Sequence, residues 1–137
     1  MKSTITIHAT VNADIKKAWD HYTDPAHIKK WNFADPSWHC PSASNDLRVG
    51  GKYSARMEAK DGSFGFDFEA TYIEIVDGKK FIYIIPDGRQ VTVDFSSNEG
   101  KTDVTVTFDA EEQNSIERQR NGWQSILDNY KNYTEAS

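Results

Sequence analysis

Cysteine is almost absent from this sequence, because Cys40 is the single one among 137 residues. One thiol cannot form an internal disulfide, so the sequence indicates a reducing, cytoplasmic environment. Positive charge is also scarce: 16 Lys and Arg residues stand against 21 Asp and Glu residues, and the formal net charge is −5. Nucleic acids and anionic lipid surfaces attract basic proteins, so we expect neither as a partner.

Long apolar runs are missing as well. A membrane-spanning helix needs roughly 18 or more consecutive apolar residues, and no segment approaches this length. Residues 1–13 carry one Lys and then alternate Ile, Thr and His, which is not the apolar core of a signal peptide. The phosphate-binding patterns G-x-x-x-x-G-K-[ST] and G-x-G-x-x-G are also absent. We expect a single cytoplasmic domain over residues 1–137, with no membrane span and no nucleotide site.

The first part of the chain predicts one strand followed by two short helices. Residues 4–11 alternate apolar and polar side chains, which is the pattern of a strand with one buried face. Asn12 is predicted to cap the first helix, and Asp24-Pro25 to start the second. The residues predicted to face the interior from these helices are Ile15, Ala18, Trp19, Tyr22, Ile28 and Trp31.

The middle of the chain predicts an antiparallel meander. Five turn signals that contain glycine separate segments of alternating apolar and polar residues: Gly50-Gly51, Asp61-Gly62, Asp77-Gly78, Asp87-Gly88 and Asn98-Glu99-Gly100. Residues 38–41 form a candidate edge strand ahead of them. The predicted inner face contains Tyr53, Ala55, Met57, Phe64, Phe66, Phe68, Ala70, Tyr72, Phe81, Tyr83, Ile85, Val91, Val93, Phe95, Val104, Val106 and Phe108.

Two local features interrupt the regular pattern. Four isoleucines break the alternation and predict a β-bulge or a second covered patch: Ile73, Ile75, Ile82 and Ile84. Gly122 interrupts a segment that otherwise has helical periodicity, at a cost of roughly 1 kcal/mol of helix propensity relative to Ala. We expect its missing side chain to allow either close packing or a gap beside Trp123.

That helical periodicity begins at about Asn114, where the apolar spacing changes to about 3.6 residues. The helix is predicted to lie across the inner face of the sheet. Its apolar stripe consists of Ile116, Trp123, Ile126, Leu127 and Tyr130, and extends towards Tyr133.

Several short motifs resemble one known family in their order. They are Ala18-Trp19, Thr23-Asp24-Pro25, Ile28, Trp31, Asp46 to Tyr53, Tyr72 to Val76, Phe81, Val91 to Val93, Thr102, Val104 to Thr107, Gly122-Trp123, Ile126 to Asp128 and Tyr130. Over nearly the whole chain they are similar to the family named after the C-terminal domain of the activator of the ninety-kilodalton heat-shock chaperone ATPase. That family lies in the superfamily of birch-pollen-allergen-like and steroidogenic-acute-regulatory-related lipid transfer domains. Family members often carry Pro next to Ala where this chain has Ala13-Asp14, a departure that concerns helix entry only.

The resemblance implies an α+β helix-grip fold, in which a curved antiparallel sheet wraps round a long C-terminal helix and two short helices follow strand 1. Such a fold leaves an apolar cavity between helix and sheet. Aromatic walls with a few polar tips suit a small hydrophobic ligand, so we predict a non-enzymatic binding module without cofactor or metal. The predicted ligand-binding residues are Trp31, Phe33, Trp38, Tyr53, Met57, Phe66, Phe68, Phe81, Tyr83, Phe95, Trp123, Ile126, Leu127 and Tyr130.

Two other functions fit the same resemblance. One is a protein-interaction domain similar to the chaperone activator, although the eukaryotic activator has a separate N-terminal domain for much of its chaperone binding and 137 residues leave no space for it. The other is a cyclase or dehydratase type of enzyme, in which Tyr53, Tyr83 or His39 moves a proton at the cavity. A monomer or weak dimer is expected, because the sheet edge beside strand 1 is free to pair.

The thiol and the histidines are the remaining candidates for chemistry. His39 and Cys40 are neighbours on an extended segment and should point to opposite faces, so we expect no nucleophilic dyad. The spacings of the histidines match no zinc pattern, and a solvated or capping role is expected for His8, His21, His27 and His39.

Overall fold

The computed structural model describes residues 3–137, which form seven strands and three helices. In chain order they are β1 (Thr4–Val11), α1 (Ile15–Thr23), α2 (Pro25–Trp31), β2 (Trp38–Asn45), β3 (Lys52–Ala59), β4 (Gly65–Val76), β5 (Lys80–Ile84), β6 (Gln90–Asn98), β7 (Lys101–Asp109) and α3 (Ile116–Ala136). None of the helices within residues 3–137 is long and apolar enough to cross a lipid bilayer.

The strands form one antiparallel sheet in the order β1-β7-β6-β5-β4-β3-β2. Strands β2 to β7 follow one another as a meander, and β1 pairs with β7 at the opposite edge. The sheet curls into a half-barrel and α3 packs on it, so the predicted helix-grip fold is confirmed. All five predicted turns connect neighbouring elements of this meander.

Strand β1 has the predicted alternation, with Ile5, Ile7, Ala9 and Val11 all buried. The predicted cap of α1 was wrong. Asp14, not Asn12, accepts the first-turn hydrogen bond, from the Lys17 N–H at 2.8 Å. A tight turn at Ala13, whose N–H donates to the Val11 carbonyl, separates Asn12 from the helix. The second helix begins as predicted, because Asp24 accepts from the Ala26 N–H at 2.9 Å and Pro25 is its first residue.

The edge strand β2 is longer than the predicted residues 38–41. Its pairing with β3 shifts register between His39 and Ser42, around Pro41, which has no N–H to donate. A second register shift lies between Tyr72 and Glu74 where β4 pairs with β5. The bulge predicted from the misplaced isoleucines is therefore confirmed.

Phe64 and Phe66 do not lie in the interior as their alternation predicted. Their exposed fractions are 61% and 41%. Phe64 precedes β4 in the turn after β3, and the first ring of this segment to meet α3 is Phe68, which contacts Trp123. The two earlier phenylalanines therefore extend beyond the part of the sheet that the helix covers.

Helix α3 differs from its prediction at two points in its first turns. Ile116 is exposed, and Gln119 is buried instead, because its side-chain amide bonds to the backbone of the loop that enters the helix. At Gly122, an added Cβ would meet no atom within 4 Å. Of the two alternatives predicted for Gly122, close packing is therefore excluded, and the gap agrees with the structure.

Candidate functional site

A cavity of about 180 Å³ lies between α3 and the concave face of the sheet. Helix α3 contributes one wall, and strands β3, β4 and β5 contribute the opposite one. Ten of the residues predicted for ligand binding line it: Trp31, Tyr53, Met57, Phe66, Phe68, Phe81, Tyr83, Trp123, Ile126 and Leu127.

Four of the predicted residues do not belong to this lining. Phe95 and Tyr130 are buried in the core, where Phe95 meets Trp19 and Tyr130 meets Trp31. Trp38 is half-buried on the edge strand and packs beside Phe64 and Phe66. Phe33 lies in the loop after α2, where its carbonyl accepts a hydrogen bond from the Asn129 side chain.

Five further residues line the cavity without having been predicted to do so: Ile7, Tyr22, Asn32, Tyr72 and Val106. Four of them had been predicted to point inwards, but alternation does not tell which inward positions border a hollow. Nothing in the sequence indicated that Asn32 lies in the cavity, since a polar residue after a helix usually contacts solvent. Here it is buried, and its Nδ2 donates to the Tyr53 hydroxyl at 3.2 Å.

Trp123 forms the largest apolar surface that α3 contributes. One face of its indole stacks on Phe108, with ring centroids 4.0 Å apart and an interplanar angle of 14°. Its edge approaches Phe68 at 6.4 Å. The ring is thus held between strands β7 and β4 while remaining half-buried.

Four tyrosines give the cavity its hydroxyl groups, and Asn32 adds a side-chain amide. Tyr53 accepts the bond from Asn32, and Tyr72 donates to the Asn45 side-chain oxygen at 2.8 Å. Burial raises the pKa of the Tyr22, Tyr53, Tyr72 and Tyr83 hydroxyls above its ordinary value. All four hydroxyls therefore keep their protons at neutral pH and are not poised to act as bases.

The cavity reaches the protein surface at Phe66, which both lines it and is exposed. The Phe66 ring lies 6.1 Å from Trp38 and 6.3 Å from Phe64. We call these three residues, Trp38, Phe64 and Phe66, the entrance cluster. It places an apolar surface beside the opening.

Neither Cys40 nor His39 is among the residues that line the cavity. His39 Nε2 is 3.6 Å from Glu58, and both side chains are partly exposed. The buried Cys40 thiol donates to the Ser42 carbonyl at 3.4 Å, and its burial raises the pKa of that thiol. The two residues form no dyad, as the extended segment predicted.

The solvated or capping role expected for His21 was wrong. The side chain is buried and stacks on His27, with ring centroids 4.0 Å apart, because α1 and α2 bring the two rings together. His27 Nδ1 is 2.6 Å from the Tyr133 hydroxyl. This cluster lies against the C-terminal part of α3.

The family model described as "Activator of Hsp90 ATPase homolog 1-like protein" matches residues 12–135. Among solved structures, an AHSA1-like protein from Aeromonas hydrophila is 42% identical, covers 98% of this chain and 93% of its own, and has a TM-score of 0.92. A protein from Cytophaga hutchinsonii is 44% identical over 97% of this chain and 92% of its own, with a TM-score of 0.84. No curated protein matches the sequence.

More distant similarity extends to the fold alone. A protein from Chromobacterium violaceum is 22% identical over 96% of this chain and 96% of its own, with a TM-score of 0.85.

Proposed function

This chain belongs to the Activator of Hsp90 ATPase homolog 1-like protein family, and we propose that it is a non-enzymatic module that binds a small hydrophobic or amphipathic molecule. The observation that carries the proposal is the cavity of about 180 Å³ beneath α3. A concave site with apolar walls and a few convergent polar groups is the usual form of a small-molecule site.

The walls support an apolar ligand for two reasons. Trp123, Phe68 and Leu127 present ring and methyl surfaces, which a ligand removes from water at about 25 cal/mol per Å² of apolar area. The neighbouring rings are held by one another, so the site is largely preformed and binding requires little ordering. The entrance cluster gives a ligand an apolar route to the cavity.

A thermal-shift screen with small neutral aromatic compounds tests this proposal. A compound present at about one hundred times its dissociation constant adds about 2.7 kcal/mol of stability, which shifts the unfolding midpoint by several degrees in a domain of this size. The shift should fall to about half in Trp123→Ala, as a tenfold loss of affinity predicts, and persist in full in Trp38→Ala, a matched change outside the cavity lining. If no compound shifts the midpoint, or if both variants respond alike, the proposal fails.

A chaperone-binding function is the second candidate. The name of the family and the exposed Phe64 and Phe66 of the entrance cluster favour it. Aromatic rings at an exposed surface are typical of protein contacts. A pull-down with the ninety-kilodalton chaperone and a measurement of its ATPase rate test this candidate. A matched variant, Phe64→Ser, should abolish both effects, and no effect from the unchanged protein would discard the candidate.

An enzyme of the cyclase or dehydratase type has less support. His39 is not among the residues that line the cavity, and the raised pKa of Tyr53 and Tyr83 leaves them protonated, so neither is poised to abstract a proton. They could only donate to a bound carbonyl. Turnover of an added ketone that is lost in Tyr83→Phe would reverse this ranking.

We further propose a cytoplasmic protein that is a monomer or weak dimer. The two edge strands of the sheet, β1 and β2, are the surfaces through which copies would pair. Light scattering after size-exclusion chromatography measures the mass directly, and a stable higher oligomer would contradict this part of the proposal.

A further inference from the structure

Two tyrosine hydroxyls on the cavity have no hydrogen-bond partner within residues 3–137. They belong to Tyr22 of α1 and Tyr83 of β5, and both residues line the cavity. The enclosed side-chain atoms that lack a partner are His21 Nδ1 and Thr134 Oγ1 in the described chain. The Tyr22 and Tyr83 hydroxyls therefore border open space, and the open space next to both residues is the cavity.

A third hydroxyl leaves its proton unused. Tyr53 accepts a hydrogen bond from Asn32 Nδ2, and no described residue accepts from Tyr53 in turn. By contrast, the Tyr72 proton is used by Asn45. The cavity thus offers up to three O–H donors, and their acceptors must come from what occupies the cavity, either a bound molecule or water.

The same cavity offers no charge to an ion. Every described residue that lines it is uncharged. An ionised carboxylate that entered would lose its hydration and gain no cation in return, which is strongly unfavourable in an apolar surrounding. Burial raises the pKa of Tyr83, which keeps that donor protonated.

The cavity also limits ligand size. Its volume of about 180 Å³ slightly exceeds that of a cavity of about 150 Å³ that holds one benzene molecule. A single aromatic ring with one small substituent fills such a space.

We propose that the cavity selects a neutral molecule of about one ring whose oxygen accepts hydrogen bonds from Tyr22 and Tyr83. This inference rests on the proposed binding function and specifies its ligand class. The ring lies against Trp123 and Phe68, and the oxygen points towards α1 and β5. A ketone or ether oxygen can accept these protons, whereas a hydrocarbon offers no acceptor and an anion would lose its hydration on entering the apolar cavity.

Three compounds of nearly the same shape separate these cases: acetophenone, α-methylstyrene and benzoate. The first carries a carbonyl oxygen, the second replaces that oxygen by CH₂, and the third is an anion. Their dissociation constants are measured by NMR titration of the unchanged protein, Tyr22→Phe, Tyr83→Phe and the control Tyr133→Phe. Tyr133 lies outside the cavity lining, and its hydroxyl bonds to His27.

The expected result is selective. Tyr22→Phe and Tyr83→Phe should each weaken acetophenone binding by about three- to tenfold and leave α-methylstyrene unchanged. Each substitution's effect on acetophenone affinity is compared with its effect on α-methylstyrene affinity. The hydration of each free ligand is the same for both proteins, so it cancels in this comparison. Tyr133→Phe should alter neither, and benzoate should bind more weakly than acetophenone.

Other outcomes overturn the inference in distinguishable ways. If both tyrosine variants change acetophenone and α-methylstyrene equally, the hydroxyls do not recognise oxygen, and the binding function itself stands. Benzoate binding as tightly as acetophenone would contradict selection for a neutral ligand. If none of the three compounds binds, the proposed function and this inference fail together.

Discussion

Helix α3 packs on the sheet in different ways at its two ends. Near its C-terminus, Tyr130 is completely buried between Tyr22 and Trp31, at ring distances of 4.8 and 5.2 Å. Its hydroxyl donates to the Ala18 carbonyl. Nearer the N-terminus, Trp123 stacks on Phe108 but remains half-buried, and the cavity lies beside it. We call these the filled end and the hollow end.

The cause of the difference is the position of α1 and α2. Both short helices contact α3 and supply the rings that surround Tyr130. At the hollow end Trp123, Ile126 and Leu127 of α3 face the cavity, which α1 and α2 border only through Tyr22 and Trp31. The filled end therefore supplies stability, whereas the hollow end leaves apolar surface available for a ligand.

The largest expected effect is at the filled end. Tyr130→Ala should lower the free energy of unfolding by about 3–5 kcal/mol, since it removes a fully buried ring. Tyr130→Phe should cost only about 1 kcal/mol, because it loses one hydrogen bond. Urea denaturation measures both changes. A loss below about 1 kcal/mol for Tyr130→Ala would contradict the idea of a filled end.

The matching change at the hollow end should have a different outcome. Trp123→Ala should cost about 1–3 kcal/mol, less than Tyr130→Ala, because the ring is only half-buried and already borders a cavity. It should instead weaken acetophenone binding by about tenfold. Urea denaturation and NMR titration provide the two readings. A stability loss as large as that of Tyr130→Ala, with unchanged affinity, would make the two ends equivalent.

A smaller effect is expected at Gly122 on the helix above the cavity. Gly122→Ala should stabilise the protein by about 0.5–1 kcal/mol, because Ala favours the helix and its Cβ meets open space. Thermal unfolding measures the gain. A destabilised variant would show that the glycine is needed for a close approach that the structure lacks.

The smallest effect is the pH response of the filled end. Burial is the main cause that lowers the pKa of His21. The nearby charges of His27 and Lys17 lower this pKa further, whereas the carboxylates of Asp20 and Asp24 raise it. As the pH falls below about 6.5, the unfolded chain binds a proton at this residue that the folded chain resists, so stability decreases. His21→Phe should flatten this decrease while keeping a ring against His27.

The unfolding midpoint between about pH 7.5 and pH 5.5 measures this response. An identical slope in His21→Phe would exclude His21 as its source.

The architecture could be predicted from the sequence because its signals are local. Alternation located the inner face of the sheet, and glycine turns located its connections. Phe64 and Phe66 are the exceptions. They follow the same alternation as the buried rings of the inner face, but they lie beyond the part of the sheet that α3 covers and are therefore exposed. How much of the sheet α3 covers depends on the sheet's curvature, which no local pattern records.

The cavity was only partly predictable for the same reason. Tyr130 and Trp123 lie on one helical stripe with the same spacing rules, and periodicity cannot tell a filled position from a hollow one. Asn32 and Tyr22 acquire their role from neighbours on distant strands. A single sequence contains no direct signal for contacts between residues that are far apart along the chain. The polar groups of the cavity could therefore be identified only from the structure.

The central claim is that a ligand binds in the cavity at the hollow end, which Tyr22 and Trp31 also line, and not in the core around Tyr130. The four tryptophans report on it directly. In an NMR titration with acetophenone, the indole N–H signals of Trp123 and Trp31 should move, while those of Trp19 in the filled core and Trp38 at the edge should stay in place. Signals that all remain fixed, or a change confined to Trp38, would contradict the account.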